Sequence, residues 1–216
     1  MPASQAAPDV VPLSREHLPA AIEVLARAFQ SDPLMRYIFA EAEAPYDQCL
    51  KELFRFSCEV RYLLDWPLFG SFTDTRLLGV AGVTEPEQKP WPETLVSVYR
   101  ELQTVIGPRA TEHLEQYSSH ADSFRPQAPH YHLGMIGVDP AAQGQGHGRA
   151  LLEAVQALSE QHPASTGVWL DTENPRNVTI YGRCGYGVVA QTHYGGVDIW
   201  CMFRLNQSRQ HGTVTA

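Results

Sequence analysis

The chain has 216 residues, with 16 Lys+Arg against 24 Asp+Glu, a formal net charge of −8 and a sequence pI of about 5.5. That balance excludes a general polyanion binder, and only two lysines, Lys51 and Lys89, are present, so no nucleic-acid partner is expected. At 44% hydrophobic and 19% charged residues the chain has material for a packed core and too little charge bias for disorder, and one α/β domain is the expectation.

No run of about 18 uncharged apolar residues occurs, and the opening MPASQAAPDVVPL has neither a basic nor an apolar region, so a soluble cytoplasmic chain with no membrane partner is expected. Cys49, Cys58, Cys184 and Cys201 form no C-x-x-C pair and no zinc-finger spacing. They read as reduced thiols, mostly buried, and no metal is expected. Acidic excess lies in residues 1–125, which hold 18 acids and 11 bases, against 6 and 5 in 126–216. The first part therefore either faces a cationic or neutral ligand or presents an ordinary solvated acidic surface.

In chain order, Asp9 to Leu13 reads as a short strand, and Leu18, Ile22, Leu25 and Phe29 recur at helical spacing from Arg15 to about Gln30. Ser31-Asp32-Pro33 stops that helix. A second helix is expected from Pro45 to about Asp65, closed by Trp66-Pro67. Two β-like runs follow, Leu68 to Phe72 and Leu77 to Thr84, around a Thr73-Asp74-Thr75 turn. The three prolines of 85–92 make a loop; Leu95, Tyr99, Leu102 and Ile106 give a helix ending at Gly107-Pro108, and a further helical piece covers about 110–119. From Tyr131 the texture becomes strand, glycine loop, helix, strand, helix, strand, strand, which indicates a sheet containing a parallel pair.

The informative segment is YHLGMIGVDPAAQGQGHGRALLEAVQAL. A strand from Tyr131 to Val138 turns at Asp139-Pro140 and runs through Gln143-Gly144-Gln145-Gly146-His147-Gly148 into a helix carrying Leu151, Val155 and Leu158 on one face. Glycine destabilises a helix start by about 1 kcal/mol relative to alanine, so three of them imply close approach by another group. Helix starts usually recruit Asp or Glu, yet no acid occurs from Pro140 to Leu152. The exposed N–H groups are therefore set for an external anion such as phosphate, the alternative being a turn that only packs the helix tightly on the sheet. Arg149 stands where the dinucleotide pattern needs its third glycine, and no G-K-[ST] is present for a Walker loop.

Gln143, Gly146 and Gly148 after a strand, followed by WLDTENPRNVTIYGRCGYGVV with Asn174, Asn177, Tyr181 and Gly185-Tyr186, resemble motif A and the following block of the GNAT superfamily of acetyl-CoA-dependent N-acetyltransferases. Within it the chain resembles puromycin N-acetyltransferase and its relatives, through Ala28, Phe29 and Pro33, Ile106 to Arg109, Pro175 to Asn177 and Trp200 to Met202. The resemblance implies a GNAT fold: a mixed central β-sheet with a splayed parallel strand pair, flanked by helices. It implies one domain over 9–205, with 9–125 mainly binding the acceptor and 126–205 binding acetyl-CoA, between a flexible leader at 1–8 and a polar tail at 206–216.

For the site, the resemblance implies that backbone groups of Gly144, Gln145, Gly146, His147, Gly148 and Arg149, with Gln143 beside them, cradle the diphosphate of the acyl donor. Ile136, Gly137 and Val138 would pair with its pantetheine arm, and Asn177 and Asn174 would bond that arm, unless Asn174 is simply a helix N-cap. Tyr181 is the expected general acid for the leaving thiolate, its alternative being core packing. His132 and Asp171 are candidates for the general base, each with a structural alternative. Asp32 and Tyr37 would help bind the acceptor. The expected reaction moves acetyl to the primary amine of a small molecule by direct attack in a ternary complex, the enzyme being a monomer or homodimer. A protein or peptide amine as acceptor, and a non-catalytic acyl-CoA-binding module, stay open as alternatives.

Overall fold

The computed structural model describes residues 7–207; of the expected leader and tail, residues 1–6 and 208–216 lie outside the described residues. Strands β1 (Asp9–Pro12), β2 (Leu68–Thr73), β3 (Arg76–Thr84), β4 (Tyr131–Val138), β5 (Gly167–Thr172), β6 (Gly187–Tyr194) and β7 (Val197–Leu205) form one sheet in the order β1-β2-β3-β4-β5-β7-β6. Neighbours are antiparallel except β4 and β5, which run parallel. The mixed sheet with one parallel pair, flanked by helices, is the fold that the glycine-loop segment implies.

Helices α1 (Leu18–Ala28), α2 (Pro33–Ile38), α3 (Tyr46–Leu63) and α4 (Glu93–Asp122) precede β4, while α5 (His147–Gln161) and α6 (Pro175–Arg183) follow it. Two cores result. Leu25, Ile38, Leu50, Leu102, Ile106 and Trp169 pack on the side of α1–α4, and Leu151, Leu152 and Val155 of α5 pack against Val83, Leu133 and Leu170. Strand β5 serves both, Trp169 pointing one way and Val168 and Leu170 the other, as the two-residue period of a strand buried on both faces requires. Each fully buried Leu or Ile contributes roughly 1.5–3 kcal/mol.

Two local features set up the site. The residues that stop α1 also start α2, because the Asp32 carboxylate accepts from Met35 N–H at 3.0 Å and Pro33 occupies a position with no N–H to satisfy. The two helical pieces expected around Gly107-Pro108 form a single kinked α4, broken at Gly107 (φ 81°, ψ 170°), a conformation only glycine adopts readily. The kink turns the second half of α4, including Tyr117, Asp122 and the following Arg125, toward β5.

At the centre, the parallel ladder holds only Tyr131 opposite Val168 and His132 opposite Trp169. In the β3–β4 ladder Gly82 faces Met135 and Val83 faces Leu133, which leaves Gly134 as a bulged residue. A bulge bends its strand and raises the local twist, so β4 leaves β5 immediately after His132. The backbone of β4 from 133 to 138 is then paired to β3 on one side and open on the other.

Candidate active site

Past β4 the chain turns at Asp139, whose carboxylate accepts from Arg27 Nε and Nη2 at 3.0 and 2.8 Å and from Ala141 N–H at 3.0 Å. The loop then takes left-handed conformations at Gly144 (φ 78°) and Gly146 (φ 94°), the latter being the N-cap of α5. Among the described residues no side chain caps this helix, and its first turn has no acid. Its first internal bond runs from Ala150 N–H to Gly146 C=O at 3.0 Å, so the N–H groups of His147, Gly148 and Arg149 have no partner within the helix. A methyl group added at Gly144 would meet nothing within 4 Å, and at Gly148 only Val138 Cγ2 at 3.6 Å. Among the described residues little else comes near, Pro8 Cγ lying 3.7 Å from a Cβ built at Gly146, an arrangement that suits a phosphate-sized anion. The His147 side chain turns inward, with Nδ1 2.8 Å from Ser71 Oγ, and anchors the helix start to β2.

Beside the open edge of β4 lies a cavity of about 530 Å³. Its walls come from α1 and α2 (Phe29, Asp32, Met35), α3 (Leu53, Phe54, Phe56), α4 (Tyr99, Tyr117, Ala121), β4 (His132 to Ile136), the end of β5 (Leu170 to Glu173) and α6 (Asn177, Tyr181). Trp91 stands at the rim, 46% exposed and packed on Phe56 and Tyr99 with ring centroids 5.8 Å apart in each case.

Charged groups gather at the end where β4 and β5 part. The Tyr117 hydroxyl reaches both Asp171 Oδ2 and Glu173 Oε1. Arg125 donates from Nη2 to His132 Nδ1 at 2.8 Å, pairs with Asp122 at 2.7 Å and lies over the Trp169 ring, 5.1 Å from its centroid. A guanidinium can only donate, so His132 Nδ1 is an acceptor and the proton of the neutral imidazole sits on Nε2, 3.7 Å from Asp171 Oδ1. Burial lowers the His132 pKa to about 4, Asp171 only partly opposing it. Burial also pushes Asp171 upward, but His132, Tyr117 and Arg125 outweigh it and hold the carboxyl below its usual range. Glu173 goes the other way, raised well above the ordinary value by burial and by the Asp171 charge. The Tyr181 hydroxyl is raised by burial and by Glu173 and Asp171.

An uncapped glycine loop, a parallel pair that splays at a bulge, and a cavity opening on that splay occur together here, and the family model described as acetyltransferase (GNAT) family matches residues 33–186. The chain belongs to the GNAT acetyltransferase family. Membership makes it an acetyltransferase that draws on acetyl-CoA. Among solved structures, it is similar to a protein from Corynebacterium glutamicum described as histone acetyltransferase HPA2 and related acetyltransferase, at 20% identity over 93% of this chain and 97% of that one (TM-score 0.69). It also resembles the Drosophila melanogaster polyamine N-acetyltransferase at 15% identity over 91% and 98% (TM-score 0.62), and the PaiA N-acetyltransferase of Thermoplasma acidophilum, solved with coenzyme A, at 15% over 93% and 99% (TM-score 0.57). At such identities these neighbours speak for the GNAT fold alone.

In this GNAT chain Tyr181, Asp171, His132, Asp32, Asn177 and Ile136 all reach the cavity. Tyr37 does not: it stacks on His113 with centroids 4.9 Å apart and is no part of the lining. Asn174 is an N-cap, its Oδ1 accepting from Arg176 N–H at 3.0 Å, while Asn177 Nδ2 donates to Thr172 Oγ1 at 3.3 Å. The amides of Gln143 and Gln145 donate to Val138 C=O at 3.4 Å and Ala141 C=O at 3.2 Å, holding the loop's shape. Gly137 serves packing too, since a Cβ there would sit 2.9 Å from that of Ala28. Sequence reasoning missed Tyr117, Glu173 and Arg125. Glu173 had a faint signal, two residues after Asp171 at a strand end, but Tyr117 meets Asp171 from 54 residues away, a separation no local pattern spans.

Proposed function

We propose that this GNAT enzyme acetylates the primary amine of a small cationic molecule with an apolar body, by direct attack in a ternary complex. The observation that carries this reading is the cavity beside the open edge of β4, largely apolar in its lining and acidic in the balance of its charged groups. Of its charged lining, Asp32, Glu115, Asp122, Asp171 and Glu173 are acids against the single guanidinium of Arg125, while Leu34, Ile38, Leu53 and Phe54 are apolar. About 530 Å³ suits a small molecule enclosed on most sides.

The acyl donor brings the thioester and a thiol leaving group. The free N–H groups between Gly144 and Arg149 suit its diphosphate, and the open backbone of Ile136, Gly137 and Val138, with Asn177 nearby, suits the amides of its arm. For a Lys-like amine of pKa about 10.4, deprotonation at pH 7 costs roughly 4–5 kcal/mol, so a base matters. Asp171 is that base, ionised at neutral pH and on the cavity wall. His132 is a positioning residue instead of a second base, because Arg125 occupies its Nδ1 lone pair and its Nε2–H faces Asp171. Tyr181, neutral at pH 7, gives its proton to the departing thiolate and regains one from the nitrogen as the amide forms. Burial pushes the Cys58 and Cys201 thiols up to about 12 and raises Cys49 and Cys184 as well, which disfavours a thiolate acyl carrier and supports direct transfer.

The four free cysteines fit a reducing, cytoplasmic setting, and among the described residues no helix is long and apolar enough to cross a membrane. Calorimetry with acetyl-CoA followed by thiol release over a panel of amines tests the reading. Binding together with turnover of apolar monoamines is the expected result. Turnover of peptide N-termini alone would replace the acceptor class, and binding without turnover of any amine would leave an acyl-CoA-binding module in place of an enzyme.

A further inference from the structure

Tyr117 and Glu173 take no part in the transfer derived above, yet both line the cavity beside Asp171. The Tyr117 hydroxyl lies within hydrogen-bond reach of Asp171 Oδ2 and Glu173 Oε1 at once. A phenol has one proton, and two ionised carboxylates facing that single O–H in a buried site repel each other, so the arrangement favours a second proton on one of the carboxyls. With that second proton, three oxygen-bearing groups share two protons and the two carboxyls carry one negative charge between them.

The surroundings decide which carboxyl is ionised. Facing the pair are His132 from β4, Asp122 from the end of α4, Arg125 just after it, Asp32 from the start of α2, Tyr181 from α6 and Cys201 from β7. The Arg125 charge and the Nε2–H of His132 bear on Asp171, whereas Glu173 faces the carboxyls of Asp171 and Asp32. We propose that Tyr117 is a positioning residue that ties Asp171 and Glu173 into a pair holding one proton, Glu173 protonated and Asp171 ionised, so that Asp171 alone takes the proton of the acceptor ammonium. The inference rests on the reading of Asp171 as the base. As the N–H bond of the ammonium breaks, its proton moves to Asp171 and the pair becomes neutral; after transfer the pair releases one proton to solvent and returns to its starting state.

Infrared spectroscopy of the ligand-free protein at pH 7 tests the shared proton without any substrate. A carboxylic-acid C=O band present in the native protein and lost in Glu173→Gln is expected, and its absence from the difference spectrum overturns the proposal. Kinetics test the positioning. Tyr117→Phe removes the hydrogen bond that favours ionised Asp171, so the acid limb of kcat/KM moves up by about one pH unit while acetyl-CoA affinity stays within about twofold. An unmoved limb overturns the proposal. Should Tyr117→Phe fail to fold, Glu173→Gln decides: a neutral amide has the charge of the protonated carboxyl, so the limb stays within about 0.3 unit, and a fall of roughly a unit would mean two ionised carboxylates side by side. Asp171→Asn separates the two layers, since full activity in that variant would sink the base reading and leave the infrared result standing.

Discussion

Gly148 is the residue at which stability and ligand binding should move in opposite directions. It lies in the first turn of α5 without a positive φ, and an added Cβ would touch only Val138 Cγ2 at 3.6 Å, ordinary van der Waals contact. For the folded protein Gly148→Ala is therefore favourable: alanine gains about 0.5–1 kcal/mol over glycine in a helix, or roughly 1–4 °C in Tm for a domain of this size. For the ligand it is harmful, because the methyl is added in the turn whose N–H groups no side chain caps among the described residues. Losing one charge-assisted hydrogen bond to the diphosphate costs about 1.5–3 kcal/mol, roughly a 10- to 100-fold rise in Kd for acetyl-CoA. Calorimetric titration beside differential scanning measures both. Gly182→Ala in α6, where a Cβ meets nothing within 4 Å, is the control that should stabilise without changing that Kd. If Gly148→Ala gains stability and still binds acetyl-CoA as tightly as the native chain, the glycine is not kept for the ligand and the cradle is misassigned.

Tyr181→Phe should lower kcat about 10²- to 10⁴-fold with little change in the KM for acetyl-CoA, and an unchanged kcat would remove Tyr181 as the acid. At Gly107 the φ of 81° and ψ of 170° exclude a side chain without strain, so Gly107→Ala should cost about 1–3 kcal/mol and lower Tm by several degrees in a thermal melt. Stability should also depend on His132. Its pKa falls from 6.5 unfolded to about 4 folded, so the unfolded chain binds the proton first. The native state is then fully favoured above about pH 6.5 and loses up to ~3 kcal/mol as pH falls toward 4, a loss that His132→Gln should largely remove from a Tm-against-pH series.

Local rules settle much of this protein within the sequence. Alternating apolar residues mark β4, the 3.6-residue period marks α1, α3 and α5, and the acid-free glycine run marks a helix start, that of α5, whose N–H groups lack an acidic cap. Tyr181, Asp171 and Asn177 are legible for the same reason: each lies within one strand-and-helix block whose spacing is fixed by backbone geometry. The splay needed more. A bulge at Gly134 has no signature in YHLGMIGV, since it exists only as a register difference against β3. The second half of α4 delivers Tyr117, and the segment just after it Arg125, to β5 only because Gly107 kinks the helix, and Tyr37, two residues past Met35 of the wall, faces away because α2 turns it onto His113. Residue types can be read along a chain, but a proton shared among Tyr117, Asp171 and Glu173 depends on distances set by packing between elements far apart in sequence, and tertiary structure alone decides those.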